Sequence, residues 1–171
     1  DSAGIATLIN GHIKRRRAAR CLIGPMSDPI AAWHADHARF ARLLDDLEAE
    51  VLRFHEGGSP DYERMRDIVL WLRHYADGVH HPREDVAFER LAGHCPDLAL
   101  VLARLQQEHR VIAHAGATLL THIESVLEGT ILPREQLEAA AATYLIYYQN
   151  HIRTEESAIL ARASQNLTAD D

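Results

Sequence analysis

Two residue pairs in this chain have the types and the spacing to hold a metal ion. His80 and Glu84 stand four apart in the string His80-His81-Pro82-Arg83-Glu84-Asp85, and His151 and Glu155 repeat that spacing 71 residues later. On an α-helix, positions i and i+4 lie one turn apart on the same face. The imidazole and the carboxylate of each pair can therefore reach one ion, or two neighbouring ions. Twelve histidines against two cysteines make nitrogen the ligand atom to look for. Imidazole with carboxylate suits iron, with manganese or zinc as alternatives. Cys21 and Cys95 fit no common zinc or redox spacing, and the default compartment is a reducing cytoplasm.

Four helices must position these pairs. The first opens on Asp28 as N-cap with Pro29 at the first helical position. It runs to about Phe54 before Gly57-Gly58, with an apolar stripe of Ile30, Trp33, His37, Phe40, Leu44, Leu47, Val51 and Phe54. Ser59-Pro60 predicts the start of the second, whose stripe passes through Met65, Val69, Leu72, Ala76, His80, Glu84 and Phe88 to Leu91, with Gly93 closing it. Pro82 lies inside this pattern. Its ring collides with the carbonyl of Gly78, so a kink is expected there. The third helix begins near Pro96, carries His109 in its stripe and ends at Gly129. The fourth starts at Pro133 and runs to about Leu160 through Leu137, Ala141, Tyr144, Tyr148, His151, Glu155 and Ile159. The last five residues, 167–171, read as a loosely held tail. No strand-like alternation and no repeat is present. Short connections favour antiparallel neighbours, so the fold class is all-α, an up-down-up-down four-helix bundle.

The stripes thus bury six polar residues: His37, His80, Glu84, His109, His151 and Glu155. A buried, unpaired carboxylate costs several kcal/mol or takes up a proton. Two carboxylates and four imidazoles in one core must satisfy one another or bind cations. Six ligands exceed one tetrahedral zinc but suit two roughly octahedral ions with bridging carboxylates and a bridging oxo or hydroxo group, leaving two positions for a small ligand. A fifth histidine, His34 or His114, would leave one. His34 lies beside the first stripe, and His114 falls on the solvent side of the third helix. His81 is expected at the rim. With Tyr144, Tyr147 and Tyr148 it could supply hydrogen bonds or electrons to the centre.

At these residues the chain resembles the hemerythrin-like, or HHE cation-binding, domain proteins. The matching segments are Asp36-His37 with Phe40, the His80–Asp85 string with Phe88, Glu108-His109, and His151 with Glu155-Glu156. The resemblance implies a four-helix bundle around a non-haem di-iron centre ligated by His37, His80, Glu84, His109, His151 and Glu155. Oxygen-carrying members have two histidines four apart on the third helix, whereas position 113 is alanine here. The pattern is closer to di-iron proteins implicated in nitrosative damage repair. The expected function is binding or reduction of O2, peroxide or NO, in oxidative or nitrosative stress. The alternative is a redox or metal sensor without turnover, so the sequence does not decide whether the chain is an enzyme.

Composition bounds the partners. Hydrophobic residues form 47% and charged residues 25% of 171, which suits a water-soluble globular domain, and no apolar run reaches the length of a membrane helix. Residues 1–25 carry Lys14, Arg15, Arg16, Arg17 and Arg20 against Asp1, a net of +4; with −7 for the whole chain, the remainder is at −11. That acidic remainder excludes nucleic-acid binding by the bundle. The expected organisation is a basic extension, residues 1–25, and a bundle over 26–171, as a monomer or homodimer.

Overall fold

The computed structural model describes residues 28–168. Four rods make up the described residues, and the first two open on aspartate caps. Helix α1, Pro29–His55, opens where the Asp28 carboxylate accepts the Ile30 N–H at 3.0 Å, and it ends at Gly57, whose φ of +86° suits glycine. Rod α2 begins at Tyr62, not at Ser59-Pro60, because Asp61 is the cap that reaches into the first turn. Its carboxylate accepts the Arg64 N–H at 2.9 Å. The buried Glu50 of α1 takes the Asp61 N–H at 2.9 Å and so pins this corner. After a 3-10 turn at Pro96–Leu98, helix α3 spans Ala99–Leu127 and stops before Gly129, at φ +83°. Rod α4 starts at Arg134 and continues past Leu160 to Asn166.

Two of the rods are not α-helical throughout. Rod α2 is α-helical over Tyr62–Leu72, π-helical over Arg73–His80 and α-helical again over His81–His94. Rod α4 is α-helical over Arg134–Thr154, π-helical over Glu155–Ile159 and α-helical over Leu160–Asn166. The disturbance expected at Pro82 therefore takes the form of a changed hydrogen-bond register. The His81 N–H bonds the carbonyl of Ala76, five residues back, and Pro82 becomes the second residue of the resumed α-helix. The missing N–H of the proline thus falls at the junction of the two hydrogen-bond registers.

Each rod packs on its neighbours in sequence, and α1 closes the ring against α4, as an up-down-up-down bundle requires. The apolar interior is in two parts. The larger is built around Phe40, Leu44, Leu47, Met65, Leu72, Ile112, Leu119 and Tyr148. The smaller, toward the start of α1 and the end of α4, holds Trp33, Phe88, Leu91, Leu105, Ile159 and Ala163. Leu167, expected in a loose tail, is half-buried against this second part; residues 1–27 and 169–171 lie outside the described range, and with them the expected basic extension. No described helix is long and apolar enough to cross a membrane.

Candidate metal centre

Between the two apolar clusters lies a layer of buried polar side chains. His37, His80, Glu84, His109, His151 and Glu155 are all at most 5% exposed, and the structure brings all six together. Glu84 faces His37 and His80 with one carboxylate oxygen, at 3.2 and 2.6 Å, and His109 with the other, at 3.1 Å. Glu155 does the same from the opposite wall. One oxygen lies 2.9 Å from His37 Nε2, and the other 3.0 Å from His151 Nε2. The two carboxylates thus each span a His37/His80 side and a His109/His151 side.

One residue was misjudged from sequence. His81 is 3% exposed, not at the rim, and its ring stacks on His109 at 4.3 Å with planes 9° apart. It joins Glu84, His109 and His151 in one cluster whose ligand atoms lie within 4.8 Å of one another, while His37 and His80 form a second cluster sharing Glu84. The reason is the π-helical segment. A wider turn before His81 delays the helix phase, so that two adjacent residues both face inward. The proline at 82 was the available signal. It lies two residues after the π-helical segment that accompanies this change of face.

The outer nitrogens are held by a ring of acids. His80 Nδ1 meets Asp36 of α1 at 3.2 Å, and His109 Nδ1 meets Asp85 of α2 at 2.9 Å. His151 Nδ1 meets Glu108 of α3 at 3.2 Å, and His37 Nδ1 meets Glu156 of α4 at 2.7 Å. Every one of these acids is the sequence neighbour of an inward-facing residue. Adjacent helical residues point about 100° apart, so the acid beside each inward residue meets the next rod around the bundle. A carboxylate at Nδ1 keeps the proton there and turns the Nε2 lone pair inward. Asp77 lies 3.4 Å from His81 Nδ1 without closing a hydrogen bond, so His81 stands outside this ring. Tyr75 supports the ring by donating its hydroxyl to Asp36 at 2.9 Å.

The electrostatics match this arrangement. Burial pushes His37 down, but hydrogen bonds to Glu155 and Glu84 overcome it and carry the imidazole up to about 10. Burial likewise opposes the charge on His151, and hydrogen bonds to Glu108 and Glu155 bring it to about 9. Glu84 is held well below the usual carboxylate range against its burial, by His109, His37 and His80. His81 is lowered, chiefly by burial.

The donor set fits a metal. Both Glu155 oxygens, one Glu84 oxygen and His80 Nε2 are buried without a hydrogen bond. Ion-pair distances such as 2.6 Å for His80–Glu84 bring these atoms close without the directions a hydrogen bond needs. His109 and His151 turn their Nε2 atoms toward each other at 3.0 Å, where a shared proton serves only one lone pair and a cation serves both. Neither of the suggested fifth histidines reaches the layer. His34 is exposed and pairs with Glu156, and His114 is exposed on α3 beside the α4 groove. Among the tyrosines, Tyr147 is exposed, while Tyr144 and Tyr148 are buried with unpartnered hydroxyls, and burial raises both.

A helical bundle with a buried imidazole–carboxylate layer between two apolar clusters defines a class of cation-binding proteins. The family model described as the Hemerythrin HHE cation binding domain matches residues 28–163. The chain belongs to this family, and its bundle is a cation-binding domain. No curated protein and no solved structure matches it significantly.

Proposed function

We propose that the bundle, residues 26–171, holds two iron ions and that this centre binds or reduces a small oxidant, O2, peroxide or NO, in oxidative or nitrosative stress. The observation that carries this reading is the pair of buried carboxylates, Glu84 and Glu155, each with its two oxygens turned to different histidine sets. That is the arrangement two ions with bridging carboxylates require. His37 and His80 would hold one ion, and His109 and His151 the other, with His81 added to the second. Five imidazoles and two carboxylates would hold the two ions, and any coordination they leave unfilled would be open to an exogenous ligand.

Bound iron would supply the electrons that an oxidant takes up. The chain's own residues do the rest. The acid ring orients four of the imidazoles, those of His37, His80, His109 and His151, so these ligands need little reorganisation when charge changes at the centre. Phe40 and Phe88, packed on His80 and His109, exclude water from either side. The favoured metal is iron, from the mixed nitrogen and carboxylate donors, with manganese or zinc as alternatives.

Metal analysis of the protein reconstituted with ferrous iron without oxygen should give two iron per chain, and peroxide should then be consumed. Full iron retention in the Glu84→Ala/Glu155→Ala double variant would sink the ligand assignment. Two irons without consumption of O2, peroxide or NO would leave the sensor reading in its place.

A further inference from the structure

A cavity of about 480 Å³ opens at the end of the bundle, where the start of α1, the second half of α2 and the end of α4 meet. Its walls are Ile30, Trp33, Val86 and Leu167, and its mouth carries Arg83 and Arg90. Three observations make it more than a gap in packing. Its size falls within the range of small-molecule sites. Val86 is 50% exposed on a face where the rod otherwise carries charge. The Arg83 guanidinium is exposed and forms no hydrogen bond or ion pair among the described residues. Among the described residues that line it, the one acid, Asp28, is spent on the α1 cap.

We infer that this cavity binds an amphipathic monocarboxylate, its chain against Trp33 and its carboxylate on Arg83. A guanidinium with free donors prefers a carboxylate, and an apolar wall with one charged edge suits a chain of about eight to ten carbons. The same charges argue against the chain's own residues 1–25 as occupant, since their net of +4 would sit beside Arg83 and Arg90. The site also touches the metal layer. The indole N–H of Trp33 points at His37 Nε2 from 3.1 Å, so an occupied cavity bears on one of the proposed ligands.

The test uses the full chain carrying Trp71→Phe, which leaves Trp33 as its one tryptophan, with decanoate as probe and decanol as the uncharged control. Decanoate should change the Trp33 fluorescence saturably, below its micelle concentration and at least tenfold more tightly than decanol. Arg83→Gln should weaken decanoate about tenfold and leave decanol unchanged, and Val86→Asp at the exposed mouth should weaken decanoate as much. Equal affinity for both probes, or indifference to Arg83→Gln and Val86→Asp, overturns the proposal. So does a chain with no saturable response, which would make residues 1–27 the next occupant to examine. Because Trp33 contacts His37, the titrations are run on the metal-free protein, so failure here leaves the di-iron reading standing, and failure of that reading leaves the cavity standing.

Discussion

The two His-x-x-x-Glu pairs share one spacing and differ in where the helix changes register. In α2 the π-helical segment precedes the pair and ends on His80; in α4 it follows His151 and begins on Glu155. The consequence shows at the next position. The residue after His80 is His81, turned into the layer; the residue after His151 is Ile152, buried in the larger apolar cluster. A register change upstream of a ligand pair alters which side chains accompany it. One downstream leaves the pair's own phase intact and rotates what comes after, here Glu156, Ile159 and Ala163. Glu156 thereby meets His37, and Ile159 and Ala163 meet the smaller cluster. The pairs are therefore alike as ligands and unlike as scaffolds.

Removing either carboxylate should erase the similarity and have the largest effect. Glu84→Ala and Glu155→Ala should each lower metal affinity by more than about a hundredfold, beyond the ten- to hundredfold typical of residues that only orient ligands. Equilibrium dialysis measures this, and a variant that binds two ions normally removes that residue from the site. The difference between the pairs is addressed by His81→Ala beside Ile152→Ala. The first should weaken the second ion by at least about tenfold. The second should keep the metal and cost about 2 kcal/mol in denaturant unfolding, at the low end for a buried large-to-small change. Equal metal content in both variants would return His81 to a packing role.

The acid ring should show a smaller and more uniform effect. Asp85→Asn on α2 and Glu156→Gln on α4 should each weaken binding by about tenfold, read by competition with a chelator of known affinity. A loss from only one of the two would mean that the ring is not equivalent around the bundle.

Protons should compete with the metal at His37 and His151. With folded values of about 10 and about 9 against an ordinary 6.5, both imidazoles are charged in the metal-free protein at pH 7.5. Metal binding there should release about two protons, seen as a buffer-dependent heat in calorimetry; no such dependence would contradict the raised values. The sign for stability follows. A raised folded value stabilises fully below 6.5 and is lost as pH rises through 9 to 10, whereas the depressed Glu84 stabilises above 4.5 and loses its contribution as pH falls. The melting temperature of the metal-free protein should therefore drop between pH 6.5 and pH 10. Smallest of all, His114→Ala should leave metal content unchanged and stability within about 0.5 kcal/mol, since the side chain is exposed.

Much of this arrangement is local and so belongs to the sequence. The caps at Asp28, the glycines at 57 and 129 and the periodic stripes define four helices, because hydrogen bonding and amphipathic burial act within a few turns. The six polar residues in those stripes have to converge, because a bundle has one interior and unpaired charges cannot remain there. Even the ring of acids is written as Asp36-His37, Glu84-Asp85, Glu108-His109 and Glu155-Glu156, adjacent residues serving adjacent rods. Tertiary structure alone decided the helix register at Arg73–His80 and Glu155–Ile159. A π-helical turn is disfavoured locally and persists where packing and ligation repay it, and no short-range signal besides Pro82 marks it. The change at Arg73–His80 turned His81 inward. It also gave the opening pair, His80 and Glu84, a neighbour that its spacing did not contain.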